Sequence, residues 1–132
     1  MHVIIVFTRP QEGFGMSVKI AEHQGTRVLY ADFRGMSEQD CVEQIESFLE
    51  IYDGESGHLP MLANLEGVTL SKPFLNAANR TGKIVASKLN KQALLGVNSV
   101  VKRLIVQSFA AFTKLNVKAF QNEDDANEWL VR

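Results

Sequence analysis

The sequence predicts an α/β fold with a mainly parallel sheet, an antiparallel hairpin at one edge and about four helices. Short apolar runs of strand length alternate with longer segments in which apolar residues recur at helical spacing. Residues 17–22 and 27–33 are two such runs joined by a short glycine-containing turn, which is typical of a hairpin. The later strand–helix–strand repeats need crossover connections, and these imply parallel strands.

The chain length of 132 residues predicts one domain, residues 1–132, in which residues 1–16 add an extra N-terminal strand and loop. Residues 3–7 suit a strand that either extends the sheet edge or pairs with a second subunit in a homodimer. This run is too short to span a bilayer or to serve as a signal peptide. Cys41 has no partner for a disulfide within the chain, so we expect a cytoplasmic protein.

The first helix is predicted to start after Ser37, with Asp40 as the second member of a capping box. Met36, before the cap, is expected to pack against Cys41 on the first turn. Residues 59–65 follow as a short, largely apolar run, which favours a central strand covered on both faces.

A second helix is predicted to begin near residues 71–73, because serine and proline are favoured at the cap and in the first turn. Its apolar residues fall along one side, and Arg80 and Lys83 fall along the opposite side. Residues 93–97 then form another buried strand. The second helix therefore presents a basic outer face.

A third helix is predicted from a cap at residues 98–99 as far as residue 115, followed by a strand at residues 117–120. The apolar residues expected to point inward from this helix are Val101, Ile105, Phe112 and Leu115. Asn122 caps a short last helix, on which Trp129 and Leu130 are expected to pack against the core.

Charge is unevenly distributed along the chain, although the net charge is only −1. Residues 67–122 contain no acidic residue, whereas residues 1–66 and 123–132 together hold all fifteen. The basic residues of the central segment are Lys72, Arg80, Lys83, Lys88, Lys91, Lys102, Arg103, Lys114 and Lys118. We define the basic face as Lys72, Arg80, Lys83, Lys102 and Arg103. Such a surface steers anionic partners even when the net charge does not.

Three interpretations of the basic face remain open at this point. The first is a solvated surface whose charge is balanced by the acidic first helix. The second is a docking site for an acidic protein, and the third is a binding site for nucleic acid or anionic lipid. Nucleic acid is the least favoured, because few aromatic side chains that could stack on bases lie among the lysines.

Three stretches carry a resemblance to a known family: residues 27–37, residues 93–97 and the ending from residue 117 to residue 130. In order and spacing, residues 17–131 resemble the SpoIIAA-like branch of the STAS-like fold. The resemblance implies a STAS-like sheet and a binding or regulatory role. Relatives include anti-sigma factor antagonists, which bind a kinase-like partner and are switched by phosphorylation of a serine. A more distant likeness is to CRAL-TRIO lipid-binding domains.

The resemblance places Ser71 where the antagonists carry their phosphoacceptor serine, at the start of the second helix. The antagonists have an Asp-Ser-Ser-Gly stretch there, but this chain reads Leu-Ser-Lys-Pro, so the aspartate, the second serine and the glycine are missing. A phosphate on Ser71 would still gain from the helix N-terminus and from Lys72. The simpler interpretation is that Ser71 is only an N-cap.

A second candidate is an anion-binding loop formed by Gly96, Asn98 and Ser99, between a strand and the third helix. Free backbone N–H groups at a helix N-terminus attract anions, and Lys102 and Arg103 lie in the next turn. Many folds have such a junction with nothing bound.

The remaining reactive residues do not predict a catalytic site, a metal or a cofactor. Cys41 is expected to be a buried, inert thiol. The spacing of His2, His23 and His58 predicts no shared metal. Asp32 is either a functional-site residue or a carboxylate that accepts hydrogen bonds from the next turn. Residues 13–15 lack the glycine pattern of a dinucleotide-binding loop.

The sequence therefore predicts a non-enzymatic binding or regulatory module, with protein–protein interaction through the basic face as the first interpretation. The alternative is a carrier of a small apolar or lipid-like ligand, held between the sheet and the second and third helices.

Overall fold

The computed structural model describes the backbone of residues 4–7 and all of residues 17–132. The strands are β1 (Ile4–Phe7), β2 (Val18–His23), β3 (Thr26–Asp32), β4 (Met61–Asn64), β5 (Lys91–Leu95) and β6 (Asn116–Phe120). The helices are α1 (Glu38–Asp53), α2 (Lys72–Leu89), α3 (Val100–Thr113) and α4 (Glu123–Leu130). His2 and the predicted loop with its glycines at residues 13 and 15 lie outside the described residues.

The six described strands form one sheet in sequence order, from β1 at one edge to β6 at the other. β2 pairs antiparallel with both β1 and β3, and the strands from β3 to β6 run parallel. The predicted fold class is confirmed, including the interior positions of β4 and β5. β1 adds an edge strand by pairing with β2, which is one of the two positions predicted for it.

The helices begin where the sequence predicts them, because local cap chemistry sets these positions. Each cap side chain accepts a hydrogen bond from the backbone N–H three residues later, and the cap residues are Ser37, Ser71, Ser99 and Asn122. α3 ends at Thr113 rather than at residue 115, since Lys114 adopts a left-handed conformation with φ of 65°.

The two faces of the sheet are covered unequally. α1, α2 and α3 pack on one face and bury the larger core there, so we call it the three-helix face. Among the described residues, the other face, called the α4 face, carries only α4 and a smaller apolar cluster that includes Val28, Leu62 and Leu130. Of the two residues predicted to anchor α4, Leu130 is fully buried, and Trp129 is partly buried beside Phe120.

α3 faces inward with only some of the residues predicted. Val101 is 66% exposed and Phe112 is 49% exposed, so the prediction that they point inward is wrong. Ile105 does lie on the inward side, together with Val106 and Phe109, and Leu115 is buried just after the helix. α3 has apolar residues on both its sides, so helical spacing alone could not identify the buried side. None of the described helices is long and apolar enough to cross a membrane.

Candidate functional site

A cavity of about 70 Å³ lies within the three-helix face, between the sheet and the helices α1, α2 and α3. Its floor includes Met61 and Leu94 from the two central strands, and α1 closes one side with Ile45 and Phe48. Among the described residues, no charged side chain lines this cavity. The space is therefore suited to an uncharged, mainly apolar group.

The mouth of the cavity lies between α2 and α3. The lining residues that keep partial exposure include Leu75 and Ala78 on α2, and Ile105 and Phe109 on α3. By contrast, the described lining residues of α1 and of the strands are all buried. A ligand would thus enter through the groove that separates these two helices.

Gly82 sets how closely α3 approaches α2 beside this groove. A Cβ atom at this position would lie 3.0 Å from Cγ2 of Thr113 and 3.1 Å from the Phe109 ring. Both distances are shorter than ordinary van der Waals contact, so a side chain here would require Thr113 and Phe109 to move by a few tenths of an ångström. The lack of a side chain at Gly82 therefore helps to shape the wall of the cavity.

Thr81 contributes a hydroxyl group to the cavity lining, although its residue is only 1% exposed. Its Oγ1 atom has no hydrogen-bond partner among the described residues. A helical threonine often bonds to the carbonyl group four residues earlier, and Thr113 on α3 does so by donating to the Phe109 carbonyl at 2.8 Å. Thr81 does not make the equivalent bond.

Gln92 on β5 provides the second polar group of the cavity, and it is 8% exposed. Its Nε2 atom donates to Sδ of Met61 at 3.4 Å, whereas Oε1 has no partner among the residues described. A thioether sulfur accepts hydrogen bonds but cannot donate them. This contact therefore orients the amide with its nitrogen toward Met61 and leaves the oxygen unpaired.

Two unpaired oxygens in one small cavity are costly for folding. An unsatisfied buried acceptor destabilises a protein by about 1–3 kcal/mol. Such groups are rare in folded proteins, and each calls for a physical reason. An uncharged ligand or water molecule that reached both oxygens would remove this cost.

Sequence reasoning did not single out Thr81 or Gln92. The signal was present for Thr81, which lies four residues after Ala77 and four residues before Val85, on the buried side of α2. A polar residue at an inward position is more informative than an apolar one there. Gln92 gave no comparable signal, because β5 begins with two polar residues, Lys91 and Gln92, and the sequence predicted the strand only from residue 93.

The basic face is partly used by contacts within the fold. Nη2 of Arg80 lies 2.9 Å from Oε2 of Glu46 on α1, which agrees with the interpretation that the acidic first helix balances this charge. The Lys83 ammonium lies 4.5 Å from the centre of the Phe112 ring. Lys72 and Arg103 are exposed, and the Arg103 Nε donates to the Ser99 carbonyl at 3.5 Å.

Lys102 is the basic-face residue most involved in the fold. Its Nζ donates to the carbonyl oxygens of Leu65 and Gly96, each at 3.1 Å, and so ties the start of α3 to the ends of β4 and β5. An ammonium group held in this way is less available to a partner than an exposed lysine. Partner binding through the basic face remains a prediction.

The predicted anion-binding loop is packed against the segment that follows β4. Gly96 has φ of 85°, and a Cβ atom there would overlap the backbone nitrogen of Glu66. Asn98 Nδ2 donates to the Glu66 carboxylate at 3.3 Å, and Ser99 Oγ caps α3. A carboxylate next to the loop opposes an anion at this position, so anion binding remains a prediction with weaker support.

The structure also gives the surroundings of the other candidates. Ser71 accepts a 3.4 Å hydrogen bond from the Phe74 N–H as the N-cap of α2, and its phosphorylation remains a prediction. The Asp32 carboxylate accepts bonds from the backbone and side chain of Arg34, and these bonds lower its pKa. Cys41 is buried, and burial raises the pKa of its thiol, as expected for an inert cysteine. His23 and His58 lie apart, beside Tyr30 and in an exposed loop respectively.

Comparison with known proteins agrees with this architecture. The family model described as SpoIIAA-like matches residues 19–131. A crystal structure of an uncharacterized protein from the DUF3478 family with a SpoIIAA-like fold, from Shewanella loihica PV-4, is similar with a TM-score of 0.63 and 18% sequence identity. The similarity covers 98% of this chain and 95% of that one. No curated protein matches the sequence.

At this identity the solved structure supports the fold alone, whereas the family model spans most of the chain. The chain belongs to the SpoIIAA-like family.

Proposed function

We propose that this protein is a non-catalytic binding module that takes a small, uncharged and mainly apolar ligand into the cavity of the three-helix face. The observation that carries the proposal is the cavity itself, which is apolar and opens between α2 and α3. Ligand sites are commonly concave, apolar and supplied with a few polar groups. Thr81 and Gln92 supply such groups here.

The volume limits what this cavity accepts. An apolar cavity of about 150 Å³ is enough to hold benzene. At about 70 Å³ the cavity takes either a smaller molecule or only the end of a longer one. A longer ligand would extend outward along the groove between α2 and α3.

The lining supports binding rather than catalysis. Among the described residues that line the cavity, none carries a carboxyl, imidazole, amino or thiol group. General acid–base and nucleophilic chemistry both depend on groups of this kind. A ligand in this position would be held and released without being changed.

Titration with n-pentane, followed by backbone amide NMR, tests the proposal, because one end of this narrow chain can enter the cavity while the rest lies along the groove. n-Pentane should shift the signals of cavity-lining residues to saturation. Ala78→Leu places a larger side chain at the mouth and should weaken binding about tenfold or more, which is at least 1.4 kcal/mol.

Ala111→Leu is the matched control, because it makes the same substitution on an exposed helical position away from the cavity. It should leave n-pentane binding unchanged. The proposal is wrong if n-pentane shifts no cavity signals, or if both variants bind it as well as the original protein.

A second candidate function is docking of an acidic protein on the outer surface of α2 and α3. The observation that favours it is an exposed apolar patch beside the basic face. We define the outer patch as Ile84, Val100, Val101, Leu104 and Phe112, each about half exposed or more. Exposed apolar patches with a polar rim are common at protein interfaces. A segment of 56 residues without a carboxylate favours an acidic partner.

Lys83→Glu combined with Arg103→Glu tests this candidate, since neither side chain is paired with a carboxylate in the described contacts. A partner captured by the original protein should bind the double variant more slowly and with weaker salt dependence. Lys19→Glu with Lys118→Glu makes the same change in net charge on the other face and should not affect capture. Equal capture by both double variants would rule out docking through the basic face.

A further inference from the structure

We infer that the ligand of this cavity is a neutral alcohol, whose hydroxyl group bonds to Gln92 Oε1 and to the hydroxyl of Thr81. This inference rests on the proposed function and names the chemical class of the ligand. It is carried by two buried oxygens that line the same small cavity and have no partner among the described residues.

The hydrogen-bonding capacity of the two oxygens selects the ligand group. Gln92 Oε1 can only accept a hydrogen bond, so the ligand must donate one. The Thr81 hydroxyl can both donate and accept, so it can donate to the same ligand atom. A hydroxyl group is the smallest ligand group that both donates and accepts, and it therefore matches this pair.

The orientation of the Gln92 amide is important for this choice. If the amide nitrogen faced the cavity, the ligand would need an acceptor rather than a donor. The 3.4 Å contact of Nε2 with Met61 Sδ opposes that orientation, because an amide oxygen makes no hydrogen bond to a thioether sulfur. The acceptor oxygen is thus the atom that lacks a partner.

The absence of charge among the described lining residues excludes ionised ligands. A carboxylate or ammonium group would lose its hydration in this cavity without gaining an opposite charge. Fatty acid anions and amines are therefore poor ligands at neutral pH. An alcohol loses less hydration and recovers it through two hydrogen bonds.

A set of probes with one chain length tests the assignment by amide NMR at neutral pH. The probes are n-hexanol, methyl pentyl ether, hexanoate and hexylammonium. The ether has the same number of heavy atoms as n-hexanol and accepts a hydrogen bond, but it cannot donate one to Gln92. We expect n-hexanol to bind about tenfold more tightly than the ether, because it makes one additional hydrogen bond to a buried acceptor. The two ions should bind more weakly still.

Thr81→Val and Gln92→Met each remove one of the two oxygens while nearly preserving side-chain volume. Gln92→Met should reduce the preference for n-hexanol over the ether by about threefold or more, because only the alcohol donates to Gln92 Oε1. Thr81→Val should weaken the binding of both probes by a similar factor, because both probe oxygens accept from the Thr81 hydroxyl. Thr113→Val is the matched control on α3, because its hydroxyl already donates to the Phe109 carbonyl. It should leave the binding of both probes unchanged.

The outcomes separate this inference from the proposed function. If n-hexanol and the ether bind the cavity equally well, the cavity binds ligands but the assignment to alcohols is wrong. The same conclusion follows if Gln92→Met keeps the full preference, or if Thr81→Val binds both probes as tightly as the original protein, since the ligand would then not bond to that oxygen. If neither these probes nor n-pentane reaches the cavity, the proposed function itself is wrong.

Discussion

Among the described residues, unpaired buried oxygens distinguish the two faces of the sheet, although the three-helix face also has paired groups, such as the Tyr52 hydroxyl that donates to the Leu59 carbonyl. On the α4 face, the hydroxyl of Tyr30 donates to Asn127 Oδ1 at 2.6 Å, and this bond helps to hold α4 on the sheet. On the three-helix face, Thr81 and Gln92 each keep an unpaired oxygen, even though the core there is larger.

This difference separates a face that supports folding from one that also holds a cavity. The α4 face has little apolar area, so a paired hydroxyl adds to the stability of the attachment. The three-helix face has enough apolar burial to tolerate two unpaired oxygens. Unsatisfied buried groups of this kind are often explained by function rather than by folding.

The largest expected effect concerns the small core of the α4 face. Leu130→Ala should reduce the free energy of unfolding by about 3 kcal/mol, because Leu130 is fully buried and few other side chains attach α4. Denaturant unfolding measures this change. Leu104→Ala is the control, since Leu104 is 58% exposed on α3 and its loss should cost less than about 0.5 kcal/mol. Equal effects of the two substitutions would contradict the role given to Leu130.

A pair of substitutions with opposite expected signs tests the contrast between the two faces directly. Tyr30→Phe should destabilise the protein by about 1 kcal/mol, since it removes a hydrogen bond and leaves Asn127 unpaired. Thr81→Val should instead stabilise it by about 1 kcal/mol, because it replaces an unpaired hydroxyl with a methyl group of similar size. Thermal unfolding without added ligand measures both. A loss of stability in Thr81→Val would show that its hydroxyl supports folding after all.

The smallest expected effect concerns charge at the end of β3. Bonds from Arg34 lower the pKa of Asp32, so the ionised carboxylate is favoured in the folded protein. This contribution is present above the unfolded pKa of about 4 and is lost as the pH falls through the lower folded value. Because the pair is exposed, it should amount to less than about 1 kcal/mol.

Asp32→Asn tests this contribution through unfolding free energies measured at several pH values. The variant should be slightly less stable than the original protein near neutral pH, and the difference should disappear in acid. A difference that stays constant with pH would indicate that the carboxylate charge is not involved.

The local features of the fold could be predicted from the sequence. Ser37, Ser71, Ser99 and Asn122 cap helices as expected, because a cap depends on residues within one turn. The largely apolar run from residue 59 to residue 65 contains an interior strand, because a strand covered on both faces is mostly apolar. The bond between Asp32 and the next turn is equally local.

Tertiary structure alone decided which side of α3 is buried and which residues line the cavity. Val101 and Phe112 have the same apolar character as Ile105 and Phe109, so only packing against the sheet and α2 determines which pair is buried. Packing also places Thr81 of a helix and Gln92 of a strand in one cavity. Sequence periodicity reports which residues share one side of an element, but contacts between elements depend on how the whole chain folds.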